Sequence, residues 1–180
     1  MACTTYALKG MGQECAGAVA GLKKLYIGLG REWTVNTTAS SHTATVSAAT
    51  SAAMFYDYYI MEESSSLTSQ LNVNNQNGVK YYSNVVNATF VRLRPEKHIE
   101  LMALANEKLI VIAIDNNNQG WLLGADGLAT ATSETAQTGQ AVDDLSGYQI
   151  ELTARSAALP YAISESDLAG KIDQPDPYEE

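Results

Sequence analysis

Few residues of this 180-residue chain have both the type and the position to carry out chemistry. Asp126, Asp143 and Asp144 could in principle supply the paired carboxylates that glycoside hydrolysis needs. Adjacent acids in a strand point to opposite faces, however, and a Gly-rich acidic turn explains them more simply. His42 lies in a low-complexity loop and His98 near the start of a predicted helix. We therefore expect no catalytic residue.

A metal or cofactor site is not expected either. Cys3 and Cys15 have no histidine near them, and a structural zinc site usually takes four ligands. They are interpreted as reduced thiols, with a disulfide as the alternative. The polar run at residues 115–118 could hold calcium, but such residues also tolerate left-handed turns, which is the simpler explanation. The chain contains no phosphate-binding glycine loop, nucleophile elbow or zinc-protease motif.

The charge of the chain excludes several classes of function. Its formal net charge is −9 and its pI is about 4.6. Binding to nucleic acid or to an anionic membrane needs an excess of Lys and Arg, which is absent here. No stretch reaches the roughly 18–20 apolar residues that span a bilayer, and the start, MACTTYALKG, has no basic region followed by an apolar core. We expect neither a membrane partner nor a secretory signal.

A long β-hairpin and one helix dominate the predicted elements. Residues 67–73 alternate apolar and polar, residues 79–93 are rich in Val, Tyr, Thr and Phe, and Asn-Gly between them is a strong hairpin signal. Proline at position 95 favours a helix over residues 95–106, which is apolar enough to be expected mostly covered. A second hairpin follows, with its turn at residues 116–120. The sequence predicts a mainly β protein with one packed α-helix.

The rest of the chain divides around these elements. Strands are predicted at residues 24–29, 54–61 and 147–154, and a loop carrying one short strand at residues 36–53. Residues 1–22 are predicted to be an N-terminal arm, residues 23–154 a β-sandwich or barrel domain, and residues 155–180 an extended C-terminal tail.

The long hairpin is the predicted site of contact with other copies of the chain. Each arm is longer than the usual five or six residues, so the tip is expected to project past its own domain and to need a partner. Residues 74–82 are the centre of this predicted subunit interface. The candidate interface residues are Leu71, Val73, Asn77, Gly78, Tyr81 and Tyr82.

The order of these elements resembles that of tail tube proteins of tailed bacteriophages. The segment TGQAVDDLSGYQIELTARSAALPYAI, at residues 138–163, more closely resembles structural proteins of phages that infect Bacteroidetes, in which a Thr-Gly motif, an Asp-Leu-x-Gly-Tyr segment and a Leu-Pro step recur together. The resemblance covers about residues 54–163. The Cys-containing arm and the Pro-rich acidic tail depart from the family pattern and would suit a neck ring, a tail ring of a short-tailed phage or a capsid accessory protein equally well.

The resemblance implies a virion protein of the tail or neck, assembled in the cytoplasm of the bacterial host. Members of the family form hexameric rings whose inner strands join into one barrel, and the rings stack into a tube through which the genome passes. The partners would be further copies of the chain and other tail or neck proteins. Phage DNA would pass without specific binding, and we expect acids to outnumber bases on the lumen wall.

Two other classes of function stay open from the sequence. A capsid decoration module or a glycan-binding β-sandwich would show exposed aromatic residues in one groove, for which the candidates are Tyr56, Tyr58, Tyr59, Tyr81 and Tyr82. An enzyme would need a cleft with converging titratable groups, and the sequence offers no such set.

Overall fold

The computed structural model describes Met11, residues 18–141 and residues 143–173. Most of the predicted N-terminal arm, including Cys3 and Cys15, lies outside the described residues, as does the end of the predicted tail. The described residues form twelve strands and one α-helix. In chain order these are β1 (Leu22–Leu29), β2 (Trp33–Thr38), β3 (Thr43–Ala48), β4 (Phe55–Tyr58), β5 (Ser66–Asn74), β6 (Val79–Val91), α1 (Pro95–Asn106), β7 (Leu109–Asp115), β8 (Gly120–Leu123), β9 (Thr130–Gln137), β10 (Gly147–Ser156), β11 (Tyr161–Ile163) and β12 (Ile172–Asp173).

The strands form two sheets, which confirms the prediction of a mainly β fold with one helix. One sheet has eight strands in the order β12-β4-β1-β7-β8-β11-β3-β2, and the other has four in the order β5-β6-β10-β9. No helix of the described segments is both long enough and apolar enough to cross a membrane.

The eight-stranded sheet curls until its two ends meet. Trp33 on β2 stacks on Phe55 on β4, with ring centroids 4.1 Å apart, although these strands lie near opposite ends of the sheet. The Lys171 ammonium donates a hydrogen bond to the carbonyl oxygen of Val46 on β3 at 2.9 Å and so joins the same two ends. The space inside the curl is filled by a buried apolar cluster.

The outer face of the curled sheet packs against the four-stranded sheet. Strand β7, LIVIAID, separates the two cores, because its alternate side chains point to opposite faces. Leu109, Val111 and Ala113 join the core between the sheets, whereas Ile110 and Ile112 join the core inside the curl. A continuous apolar run is what a strand buried on both faces needs.

The helix α1 has the predicted bounds, but the prediction that it is mostly covered is wrong. Leu104 is its buried residue, and Leu101 packs partly against the core between the sheets. Ile99 and Met102, by contrast, are 72% and 66% exposed. A single stripe anchors the helix at one edge of the sandwich, because no second layer lies over its outer face.

The prediction that the chain becomes an extended tail at residue 155 is wrong for residues 155–173. Strand β10 continues to Ser156, β11 pairs with β8 and β3, and β12 pairs in parallel with β4. Leu168, in a short 3-10 turn between them, is fully buried. These residues complete the curled sheet.

Residues 33–38, which the sequence left unassigned or in a loop, form β2 and pair with β3 along its whole length.

Candidate subunit interface

The β5–β6 hairpin projects past the rest of its sheet, as its length predicts. Strand β6 pairs with β5 out to Asn74↔Val79, but with β10 only as far as Tyr82↔Ser156. Three residue pairs and the turn therefore extend beyond β10, a projection of about 10 Å for the paired part. In the turn, the Asn74 side-chain oxygen accepts the backbone N–H of Gln76 at 3.1 Å and that of Asn77 at 3.3 Å.

The candidate interface residues fall on two faces of this projection. Leu71 lies directly opposite Tyr82, and Val73 opposite Lys80, so these four side chains share one face. Leu71 and Val73 are 44% and 54% exposed, because the eight-stranded sheet does not extend beneath them. Tyr81 points to the other face of the hairpin. Asn77 and Gly78 end a four-residue turn at residues 75–78, and Gly78 has a left-handed φ of 64°, which glycine adopts readily.

Both edges of the four-stranded sheet are unpaired in the described part of the chain. The edge strands are β5 and β9, and all three pairings between neighbours are antiparallel. The two edge strands therefore run in opposite directions. Such edges present rows of backbone N–H and C=O groups to any strand that can pair with them.

The solvent-facing side of the four-stranded sheet is almost free of charge, with Val79, Tyr81, Val85 and Val91 of β6 among mainly polar side chains. On β10, Tyr148, Ile150 and Leu152 enter the core, so the alternate residues point outward. Among the outward-facing strand residues, Glu151 and Arg155 carry charges of opposite sign. The others on β5, β9 and β10 are mainly Ser, Thr, Asn and Gln. If this face lines a lumen, the expected excess of acids is not located on its strands.

A pocket that the sequence analysis missed lies at the far end of the same sheet. It occupies about 330 Å³ between the first turns of α1 and β4. The Tyr58 hydroxyl donates a short hydrogen bond to Glu100, and the Tyr58 ring lies 6.1 Å from that of Phe90. Its wall consists of the aromatic residues Tyr56, Tyr58, Tyr59, Phe90 and Tyr148, with Leu101 and the charged residues Asp57, Glu96, Lys97, Glu100 and Asp173.

The five tyrosines proposed for a glycan groove do not lie together. Tyr56, Tyr58 and Tyr59 line the pocket, whereas Tyr81 and Tyr82 are near the hairpin tip. Tyr82 lies eight positions before Phe90 on β6, and Phe90 is part of the pocket wall. The span is about 26 Å. A single aromatic groove made of all five residues is therefore contradicted.

Two of the acids considered for chemistry, Asp144 and Asp115, have structural roles in turns. The Asp144 carboxylate accepts the backbone N–H groups of Gln140 and Ala141, both at 2.8 Å, and these bonds lower its pKa. Asp115 accepts N–H groups of Asn117 and Gln119 within its own turn, which is the turn role favoured over calcium binding. Among the described residues, no three His, Cys, Asp or Glu side chains are grouped as metal ligands are.

The remaining candidates are dispersed. Asp126 and Asp143 are exposed in separate loops. The His42 ring stacks on Tyr161, and the His98 ring meets Tyr148 edge-on at 5.3 Å. The His42 Nε2 atom also lies 3.2 Å from the carbonyl oxygen of Leu159.

A charged cluster at the rim of the curled sheet does have perturbed pKa values. Lys24 and Glu165 form an ion pair at 2.8 Å, and this bond raises the pKa of Lys24 and lowers that of Glu165. Asp57, opposite Tyr26 on the neighbouring strand, has a raised pKa, chiefly because of burial. The two acids therefore contribute to stability with opposite dependence on pH.

We expect acid to weaken the fold partly through Glu165. Because its folded pKa is lowered, its stabilisation is present above its ordinary pKa and is lost as pH falls through the folded value. Glu165→Gln should reduce the acid-induced loss of unfolding free energy by less than about 1 kcal/mol, since the pair is well exposed.

Asp57→Asn should instead stabilise the fold at neutral pH and have no effect below the ordinary pKa of Asp57. Urea unfolding from about pH 6 to pH 3 measures both, and equal pH slopes in the three proteins would contradict the assignment.

Comparison of the chain with protein-family models, with curated proteins and with solved structures finds no match.

Proposed function

We propose that this chain is a virion structural protein that oligomerises into rings, forming a phage tail tube or a tail or neck ring through which the genome passes. The observation that carries the proposal is the four-stranded sheet, which has one nearly uncharged face and two oppositely directed edges that no strand of the described residues pairs with. The sequence resemblance at residues 138–163 supports the same function.

The direction of the edge strands suits closure of a ring. Subunits related by rotation about a ring axis can place β5 of one copy beside β9 of the next. These strands would then run antiparallel, as all neighbours within the sheet already do. Closing the ring would pair both edges of the four-stranded sheet and produce one continuous barrel.

The nearly uncharged face of the sheet suits passage of DNA without binding. Protein affinity for DNA comes largely from Lys and Arg that displace phosphate counterions. The strands of this face present one base, Arg155, one acid, Glu151, about 13 Å away along β10, and otherwise neutral side chains. Low affinity would thus come from neutrality rather than from the acidic repulsion that the net charge suggested.

Negative-stain microscopy combined with mass measurement tests the proposal. Rings or tubes are expected, and a strict monomer at all concentrations would contradict it.

Proline variants on β9 then locate the ring contact. Backbone N–H groups alternate in direction along a strand, so Thr135→Pro and Ala136→Pro remove N–H groups on opposite sides of β9.

We expect one of these two proline variants to keep the stability of the unchanged protein and to lose ring formation. That variant removes the outward N–H, while the other breaks a hydrogen bond to β10 and serves as the folding control. Thermal unfolding identifies which is which. If the stable variant forms rings normally, β9 is not the ring contact.

A capsid accessory or glycan-binding role is the second candidate. It is favoured by the exposed rings of Tyr56 and Tyr59 in a pocket that also holds carboxylates, a combination that binds sugars in many proteins. A monomer that binds glycans, with affinity lost in Tyr59→Ala, would support this role over the first.

A further inference from the structure

Two complementary features lie at opposite ends of the four-stranded sheet. The hairpin tip is at the Val79 end of β6, and the aromatic pocket is at the Phe90 end. Eleven residues of extended strand separate them, about 36 Å. Copies aligned head to tail along the strands would therefore bring the tip of one copy to the pocket of the next.

The pocket has the chemistry of a site for an organic cation. The faces of aromatic rings attract an ammonium group, and Tyr56 and Tyr59 are exposed enough to be reached. Glu96 and Glu100 lie one helical turn apart on α1, and Asp173 is paired with Tyr56 on β4, which places it on the same face. Lys97, also in the wall, donates its ammonium to the backbone carbonyl of Val91 at 2.7 Å.

The tip carries one cation in apolar surroundings. Lys80 is the charged residue of the segment 74–82 and is exposed. It shares a face with Leu71 and Val73, which are exposed, and with the half-buried Tyr82. An ammonium flanked by apolar side chains matches a pocket that combines carboxylates with aromatic rings.

We propose that the pocket accepts Lys80 from the hairpin tip of a second copy and that this contact stacks one ring on the next. The proposal rests on the proposed function and adds to it the contact along the axis. A tip and a pocket at opposite ends make a head-to-tail interface, in which every copy offers both halves. Such an interface extends without limit, as a tube requires, whereas a face-to-face contact would stop at two rings.

Reversing the charge of Lys80 at the tip or of Glu96 in the pocket tests the contact. In Lys80→Glu the protein should still form single rings, but the concentration at which stacks appear should rise at least about tenfold, as should that for Glu96→Lys. Lys80→Arg, which keeps a cation at the tip, should stack normally, because the aromatic and acidic pocket still meets a cation. Lys108→Glu, an equal charge change at another exposed lysine, is the matched control and should stack normally. Thermal unfolding of each variant checks that the fold is kept.

The outcomes separate this inference from the proposed function. Rings of Lys80→Glu that stack as readily as the unchanged protein would overturn the contact and leave the proposed function standing. Loss of ring closure itself in that variant would place the tip in the lateral interface and overturn the axial assignment. Rings that stack only after another virion protein is added would give the pocket a different occupant and also overturn it. A protein that forms no rings at all would contradict the proposed function itself.

Discussion

Replacing Phe55 with alanine should destabilise the protein by about 3–5 kcal/mol, the largest loss we expect from one side chain. Phe55 is fully buried inside the curled sheet and stacks on Trp33 at 4.1 Å. Its ring joins two ends of a sheet that no backbone pairing closes between β2 and β4. Truncation would leave a cavity and also loosen the curl, because Trp33 would lose its stacking partner.

Urea unfolding monitored by Trp fluorescence measures this loss. Tyr56→Ala is the matched control, since Tyr56 is the next residue on the same strand, is aromatic and is 43% exposed. We expect the control to cost less than about 1 kcal/mol. A loss below about 1 kcal/mol for Phe55→Ala would show that the curl is held by other contacts.

Gly147→Ala should cost about 3 kcal/mol, although it adds a single methyl group. A Cβ atom at this position would lie 2.0 Å from the carbonyl oxygen of Phe90 and 3.1 Å from the Cα of Val91. Both are backbone atoms of the paired strand β6, so no side-chain rotation relieves the clash. The start of β10 would have to separate from β6 at the edge of the aromatic pocket.

Gly78→Ala provides the comparison for this variant. A Cβ there meets nothing within 4 Å, but φ is 64°, so its cost of about 1–2 kcal/mol is one of backbone conformation alone. The two free energies of unfolding therefore separate steric clash from conformational strain. Equal losses in the two variants would contradict the close approach of β10 to β6.

The elements that the sequence predicted well are those with a strong local signal. Proline at position 95 fixed the start of α1, and Asn-Gly fixed the turn between β5 and β6. The exposure of Ile99 and Met102 was not predictable from the apolar content of α1. Burial depends on which elements pack over a helix, and the helix sequence does not contain that information.

The elements that the sequence missed depend on distant partners. Strands β11 and β12 have three and two residues, too few for any alternating pattern, and β12 exists because β4 offers it an edge. The pocket was missed for the same reason. Its wall comes from β4, α1, β6, β10 and β12, which lie far apart in the sequence and meet only in the folded chain. The projecting hairpin was predictable because both of its strands and its turn are contiguous.

The strand order also determines when during synthesis the chain can assemble. Strand β10 lies between β6 and β9, yet it is the last of these to leave the ribosome, and β12 follows it. At about 5–20 residues per second, β5 waits roughly 5–20 s before β10 places β9 at the opposite edge. A nascent chain can therefore offer one pairing edge early but cannot offer both until nearly all of it has been made. If the chain forms rings as proposed, the order of the strands alone would delay ring closure until synthesis is nearly complete.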